Sequence, residues 1–370
     1  MTDIKQDKDS PPVLTDKEIL KLFTDEIFPK YKKEIDSVEF PRLAILAGPP
    51  GSGKSTIYEI VKKEFGLKCR PLHIDYDQLC LEYPFMSIIY SEKYHKDMPL
   101  YTADAATIWK RMMLDKGIEE NANVVYEHPL HKKEFIEGVI RKYKTANYGI
   151  DLHCVVVNSK QSIQGIFRRY VMAEATKPYT GRTVIPLDIH DKAYAAYPQT
   201  AQYLEDEKLV DTIAVYNRKD RLFENTLKGG VWEKPQKIGS IIKNERDRIW
   251  SQEEKDAHVA TWDKVEATWQ EHMKGKTPDP DEYFNDALPF IEEARAFAEA
   301  VQATSEHLEH AGVVVRLSPH HVFVQTEKEF VSFDKNPMEV HEFEVGDAWI
   351  LRSKPVSHLV GGRLRLNKDL

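Results

Sequence analysis

Apolar positions change their spacing three times along the chain. Over residues 15–35, Ile19, Leu20, Leu22, Phe23, Ile27 and Phe28 fall on roughly one helical face. Thr15 is placed to cap that helix, and Glu18 stands three residues later. From 42 to about 235, short continuous runs rich in Val, Ile and Leu (LAILAG, CRPLHID, NVVYE, LHCVVV and TIAVYN) alternate with longer helical patterns. Continuous runs suit strands buried on both faces, so this alternation predicts a parallel sheet with helices on each side. Residues 251–310 read as helices interrupted by a turn at TPDPDEYF (277–284). From 312 the pattern shortens to GVVVRLSPHHVFVQ, EFVSFD and GDAWILR, which predicts a small antiparallel, barrel-like β-domain. The expected order is a polar mobile tail (1–13), an α/β domain (14–240), a helical spacer (241–311) and the β-domain (312–370).

Composition narrows the function. The 370 residues are 41% hydrophobic and 30% charged, with a net charge of −8. That apolar share fills a core, and no apolar run approaches the ~20 residues that a bilayer span requires. The first twelve residues are polar and lack the apolar stretch of a secretory signal, so a cytoplasmic protein without membrane contact is expected. Three scattered cysteines (Cys69, Cys80 and Cys154) suit neither a disulfide scaffold nor a zinc site. The acidity is local: residues 251–310 carry fifteen Asp/Glu against five Lys/Arg, a net −10, and the rest of the chain sums to +2. A net-acidic chain is no nucleic-acid coat. Arg316, Arg352, Lys354, Arg363 and Arg365 make the C-terminal end more basic and leave a nucleic-acid face open there only.

The strongest chemical signal follows the first apolar run. Gly48-Pro49-Pro50-Gly51-Ser52-Gly53-Lys54-Ser55-Thr56 satisfies G-x-x-x-x-G-K-[ST] between a buried strand and the helix opening IYEIVKKEF. Gly51 and Gly53 permit dihedrals and close approaches that a Cβ would block. The loop amides then face phosphate oxygens, Lys54 sets a charge against the β- and γ-phosphates, and the Ser55 hydroxyl suits Mg²⁺. The expected cofactors are ATP and Mg²⁺.

Three further features separate enzyme from switch. His73-Ile74-Asp75-Tyr76-Asp77 ends the second run, where side chains of a parallel sheet face the ligand crevice. One carboxylate of that pair can act toward Mg²⁺ while the other takes a proton from an acceptor hydroxyl; an Asx-type cap on the next helix is the alternative. Glu127, at the end of the third run, can orient the Mg²⁺ shell or hydrogen-bond the acceptor. Arg168 and Arg169, then Arg182 after Lys177-Pro178-Tyr179-Thr180-Gly181, look like a lid whose planar forks suit a transferring phosphoryl group.

The blocks GPPGSGKST, DYD with EYPFM, NVVYEHPL, RRYVMAEATKPYTGR, PLDIHD and YNRKD stand in one order over residues 40–220. In that succession the chain resembles the zeta-toxin family of P-loop kinases. The resemblance implies a P-loop kinase-type fold and γ-phosphoryl transfer to a hydroxyl of a nucleotide sugar such as UDP-N-acetylglucosamine. It makes Lys54 the loop lysine, Ser55 the Mg²⁺ ligand, Asp77 the general base, Glu127 an acceptor contact, and Arg169 with Arg182 the lid arginines. Asn217 and Arg218 fall in the late Tyr-Asn-Arg block at the nucleotide end. A small helical antitoxin is the partner it implies.

Departures from the family pattern lie on the acceptor side. Tyr83-Pro84 stands for His-Pro, Glu127-His128-Pro129 for Glu-Gly-Thr, and Arg111 where an acid is expected. A reversed charge discriminates strongly between ligands, so a phosphate-rich dinucleotide of NAD type is an alternative acceptor. A polynucleotide 5′-end and a non-catalytic ATP-gated binding module are further alternatives. His128, His131, His320 and His321 are expected in simple polar roles. The 312–370 segment also resembles small β-domains of KfrB-like type.

Overall fold

The computed structural model describes residues 11–66, 69–89, 98–176, 185–218, 220–235, 237–273, 285–302, 311–318, 320–326, 330–334, 348–352 and 360–363. Most of the expected mobile tail, the lid loop with Arg182, the 277–284 turn and the basic residues Lys354 and Arg365 lie outside these. The chain divides into two compact units, Met1–Asp247 and Arg248–Leu370.

The first unit opens with α1 (Asp16–Leu22), a π-helical turn (Phe23–Ile27) and α2 (Phe28–Lys32). Thr15 and Glu18 form the reciprocal capping box. Ile19, Phe23, Ile27 and Phe28 are buried in the same core as Trp109, whose indole N–H donates to Ile19 O at 2.9 Å. Tyr83 holds the chain ahead of α1: its hydroxyl donates to Pro12 O (2.9 Å) and accepts from Leu14 N (3.2 Å).

The sheet alternates with helices in chain order. Its elements are β1 (Arg42–Ala47), α3 (Lys54–Glu64), β2 (Leu72–Ile74), α4 (Tyr76–Leu81), α5 (Met86–Ile89), α6 (Met98–Glu119), β3 (Val124–His128), α7 (Lys133–Thr145), β4 (Gly149–Val155), α8 (Ser159–Thr176), α9 (Leu187–Asp206), β5 (Thr212–Tyr216), β6 (Arg221–Lys228), β7 (Val231–Trp232) and α10 (Ile238–Asp247). The strand order is β2-β3-β1-β4-β5-β6-β7. The five expected runs form β1 to β5, all parallel. The hairpin β6–β7 adds an antiparallel edge that the apolar pattern did not announce, because β6 is exposed or half-buried except at Asn225 and has no continuous apolar run.

β1 shows why the middle of the sheet reads as an unbroken apolar run. Leu43, Ile45 and Ala47 enter the core on one face; Ala44 and Leu46 enter the core on the other, with Ile57 and Val61 of α3. Its register sets Leu46 beside Glu127 and Ala47 beside His128, so the C-terminal ends of β1, β2 and β3 open into one crevice.

The second unit contains α11 (Gln252–Met273), α12 (Leu288–Glu299), β8 (Val301–Gln302), β9 (Ala311–Leu317), β10 (His321–Thr326), β11 (Phe330–Asp334), β12 (Ala348–Arg352) and β13 (Val360–Arg363). Its sheet runs β13-β12-β9-β10-β11-β8 and is antiparallel except where β8 joins β11 in parallel. The outer strands β13 and β8 are not neighbours, so the sheet is open among the described residues. The acidic helices expected as a spacer belong to the same compact unit as this sheet. Trp250, Phe297 and Phe323 share its core. No helix among the described residues is long and apolar enough to cross a membrane.

Candidate active site

The loop between β1 and α3 needs glycine for two separate reasons. Gly53 sits at φ +100° as it caps α3, a left-handed conformation that L side chains avoid. Gly51 is also left-handed (φ +76°), and a Cβ there would lie 2.1 Å from Ser162 O on α8. The approach is mutual, since a Cβ on Gly165 would lie 2.1 Å from Gly51 O. Gly48 closes the loop against Val155 of β4. Lys54 Nζ donates to Gly48 O (3.1 Å) and Pro49 O (3.3 Å), folding over the loop from the head of α3. Burial lowers its pKa; Glu127 opposes that shift, Arg169 adds to it, and Asp77 and Asp75 oppose it. Ser55 and Thr56 are exposed in the first turn of α3. Ser52 is instead buried: its N–H turns to Pro49 O (3.2 Å), and its hydroxyl has no hydrogen-bond partner among the described residues.

Asp75 and Asp77 divide the two readings of their motif between them. Asp75 caps α4, accepting from Asp77 N at 2.9 Å. Its carboxyl is pushed up to about 6 by burial first, then by the charges of Glu127 and Asp77. Asp77, one residue into α4, receives Arg169 Nη1 from α8 at 2.5 Å. Glu127 pairs with His73 Nε2 at 3.2 Å, and the His73 ring stacks on Tyr58 of α3 at 4.0 Å. Burial raises the Glu127 carboxyl, but the His73 hydrogen bond and the charges of Lys54, His73 and Arg169 outweigh it, leaving the net shift downward. Lys54, Asp75, Asp77, Glu127 and Arg169 thus lie within one another's electrostatic reach.

Arg111 is exposed on α6; its neighbour Lys110 is half-buried, with Nζ 5.5 Å from the Tyr76 ring centroid and 5.1 Å from that of Phe135. Burial lowers the Lys110 pKa, and Arg111 and Lys132 add to the shift. His128 is buried and accepts from Leu130 N at 3.1 Å through Nδ1. Burial brings it down to about 3, with His131, Lys110, Lys54 and Lys132 acting in the same direction, so the ring is neutral and its proton sits on Nε2. Its neighbours Phe135 and His131 stack at 5.7 Å. His128 thus combines a backbone hydrogen bond with ring packing, and His131 packs on its ring.

Arg218 braces the phosphate loop from outside it. Its Nη2 donates to Gly51 O (2.9 Å) and Gln161 O (2.7 Å), and Nε donates to Ser52 O (3.4 Å). Burial, and then Arg168, bring its pKa down to about 10. His73, Lys110, Ser162 and Gly165 were not singled out from the sequence. His73 could have been found, since period two places it on the same strand face as Asp75.

The zeta toxin family model matches residues 25–228, more than half of the chain. This chain belongs to the zeta toxin family. With that membership, the phosphate loop and the crevice acids describe an ATP-dependent phosphotransferase of zeta-toxin type. A chain from the PezAT chromosomal toxin–antitoxin system of the human pathogen Streptococcus pneumoniae shares the fold, at TM-score 0.57 and 19% identity, over 71% of this chain and 100% of its own. Weaker likenesses are to chains of the AvrRxo1-ORF1:ORF2 complex (TM-score 0.47, 13% identity, 79% of this chain and 96% of that one) and of the same complex with ATP (0.47, 12%, 71% and 92%). No curated protein matches. The matched family residues stop short of the second unit, and none of these findings supports a KfrB-like assignment for 312–370.

Proposed function

We propose that this zeta-toxin kinase transfers the γ-phosphoryl group of ATP to a hydroxyl of a cytoplasmic nucleotide-type metabolite, with UDP-N-acetylglucosamine as the family's acceptor. The observation that carries this reading is the Asp77–Arg169 pair at 2.5 Å, within electrostatic reach of Lys54 and beside Glu127. A nucleotide switch needs no acceptor base; a kinase needs a carboxylate at the acceptor hydroxyl and a cation at the phosphoryl group. In the proposed reaction, Asp77 takes the hydroxyl proton while Arg169 turns to the phosphoryl oxygens. Lys54 leaves Gly48 O and Pro49 O for the β- and γ-phosphates. Glu127, oriented by His73, hydrogen-bonds the acceptor. Arg182 is proposed as the second lid arginine.

Mg²⁺ fits the oxygen donors present. Ser55 is exposed at the head of α3; burial, and then the charges of Glu127 and Asp77, raise the Asp75 carboxyl, and a cation relieves that repulsion. Among the described residues no three acidic, His or Cys side chains form a ready cation cage, and Mg²⁺ in kinases ordinarily completes its shell with waters and substrate phosphates. When bound, it neutralises charge on the phosphates.

A second acceptor, a dinucleotide of NAD type, is favoured by one feature. Lys110 is a half-buried cation lodged between two aromatic rings, with Arg111 beside it in sequence, and it has no ion pair among the described residues. Such a group suits an acceptor phosphate. Incubation with labelled ATP and a panel of nucleotide sugars and dinucleotides, read by mass spectrometry, separates the two. Transfer to none of them, with ATP still bound, would overturn the kinase reading. As a family member similar in fold to a chain of a toxin–antitoxin system, the protein is further proposed to be a toxin whose crevice is masked by a small helical antitoxin. Co-expression restoring growth, with ATP binding lost in the purified complex, tests that partner.

A further inference from the structure

A phosphate loop attracts anions with its N–H groups, so any carbonyl turned inward works against it. In this chain all five carbonyls from Gly48 to Ser52 are held by donors. Lys54 takes Gly48 O and Pro49 O, and Arg218 takes Gly51 O and Ser52 O. The remaining one, Pro50 O, accepts from Ser162 Oγ of α8 at 2.7 Å. Behind it, Ser162 Oγ lies 3.0 Å from His190 Nε2, and His190 Nδ1 lies 2.8 Å from Asp191 Oδ1.

Counting hydrogens orients this chain. Ser162 has a single hydroxyl proton and Pro50 O can only accept, so the Ser162 oxygen accepts from His190 Nε2–H. A carboxylate also only accepts, so Nδ1–H donates to Asp191, and with both nitrogens donating the ring is an imidazolium. Ser, His and Asp also build hydrolytic triads, but there the serine gives its proton to the histidine. Here the polarity runs the other way, and Ser162 and His190 are both fully buried. In this arrangement Nε2 cannot take the Ser162 proton, and the chain delivers donation to one loop carbonyl.

We propose that Ser162 and His190 are positioning residues of the phosphate loop: they hold Pro50 O outward, so that the neighbouring amides meet the nucleotide. Gly51 supports the assignment, because its contact with the Ser162 backbone seats the loop directly on that turn of α8. Neither residue touches the reacting atoms, so the expected signature is in nucleotide affinity.

The test uses the full chain and a fluorescent ATP analogue with Mg²⁺, and needs no acceptor, so it stands even if the proposed acceptors fail. Ser162→Ala and His190→Ala are each expected to weaken nucleotide binding about tenfold. The double variant is expected to be no weaker than either single one, because both act through one hydrogen-bond chain. His190→Gln, whose amide can still donate to Ser162, is expected to recover most of the affinity. Once an acceptor is known, KM for ATP should rise with kcat within about threefold of the parent. Parent-like affinity in Ser162→Ala would overturn the proposal, as would additive losses or a His190→Gln variant as weak as His190→Ala. Should His190→Ala fail to fold, Ser162→Ala and His190→Gln decide the matter.

Discussion

Each unit sets a glutamate against histidine, and they put the pair to different use. In the second unit, Glu293 of α12 is sealed: His320 Nδ1 donates at 3.1 Å, His321 Nδ1 donates at 2.6 Å, and the His321 ring stacks on Phe297 at 4.7 Å. Burial alone would raise the Glu293 carboxyl, but the two hydrogen bonds and the charges behind them hold it far below the usual carboxylate range. In the first unit Glu127 meets one histidine, His73, at a longer 3.2 Å, and the charges that hold its carboxyl down beyond that ring are Lys54 and Arg169, cations that a nucleotide can claim. A carboxylate whose capacity is filled by its own fold acts as a staple. One left with spare capacity beside a crevice is available to a substrate.

The largest expected effect breaks the crevice side of this contrast. Asp77→Asn keeps the shape but removes the base, and should slow phosphoryl transfer about 10²- to 10⁴-fold with an unchanged melting temperature. Transfer at the parental rate would remove Asp77 from the chemistry. On the stapled side, Glu293→Ala leaves two histidines facing a buried void and should cost about 3–5 kcal/mol of stability, read by calorimetry. A parent-like melt would show that the pair is not a staple.

Acid sharpens the difference, because the two units respond with opposite signs. Glu293 has a depressed folded-state pKa, so its contribution is present above the unfolded value of about 4.3 and drains away as pH falls below it. Asp75, raised to about 6, binds its proton more tightly when folded, so stability is lost as pH rises from about 4 through 6. Asp75→Asn keeps the α4 cap and removes that loss, and should gain on the order of 2 kcal/mol at pH 7 and nothing at pH 4. Equal gains at both pH values would contradict the assigned cause. The smallest effect is on orientation: His73→Gln should lower the transfer rate about three- to tenfold, with ATP affinity unchanged.

Much of the crevice could be read before any coordinates. A run of five buried residues leading into Gly-rich chemistry and a capped helix announces a strand, a phosphate loop and Lys54. Thr15 with Glu18 announces the helix start, because both signals act within a few residues. The acids at 75, 77 and 127 follow from the rule that parallel strands present their C-terminal ends together. The acceptor side was less legible: Arg111 carried the unexpected charge, but the helix turns Arg111 outward and sends Lys110 between Tyr76 and Phe135. His320 and His321 looked like residues of a turn, since their partner Glu293 lies 27 and 28 positions away.

Local pattern was sufficient wherever the cause is local: backbone period, turn chemistry, and the glycines that a phosphate loop cannot do without. Packing decided everything that depends on two distant segments meeting. Gly165 needs to be glycine only because Gly51 O arrives at its Cα, and Ser162 matters only because Pro50 O and His190 flank it. Hydrogen bonds act over about 3 Å, and no spacing along a chain reports which groups folding will bring that close.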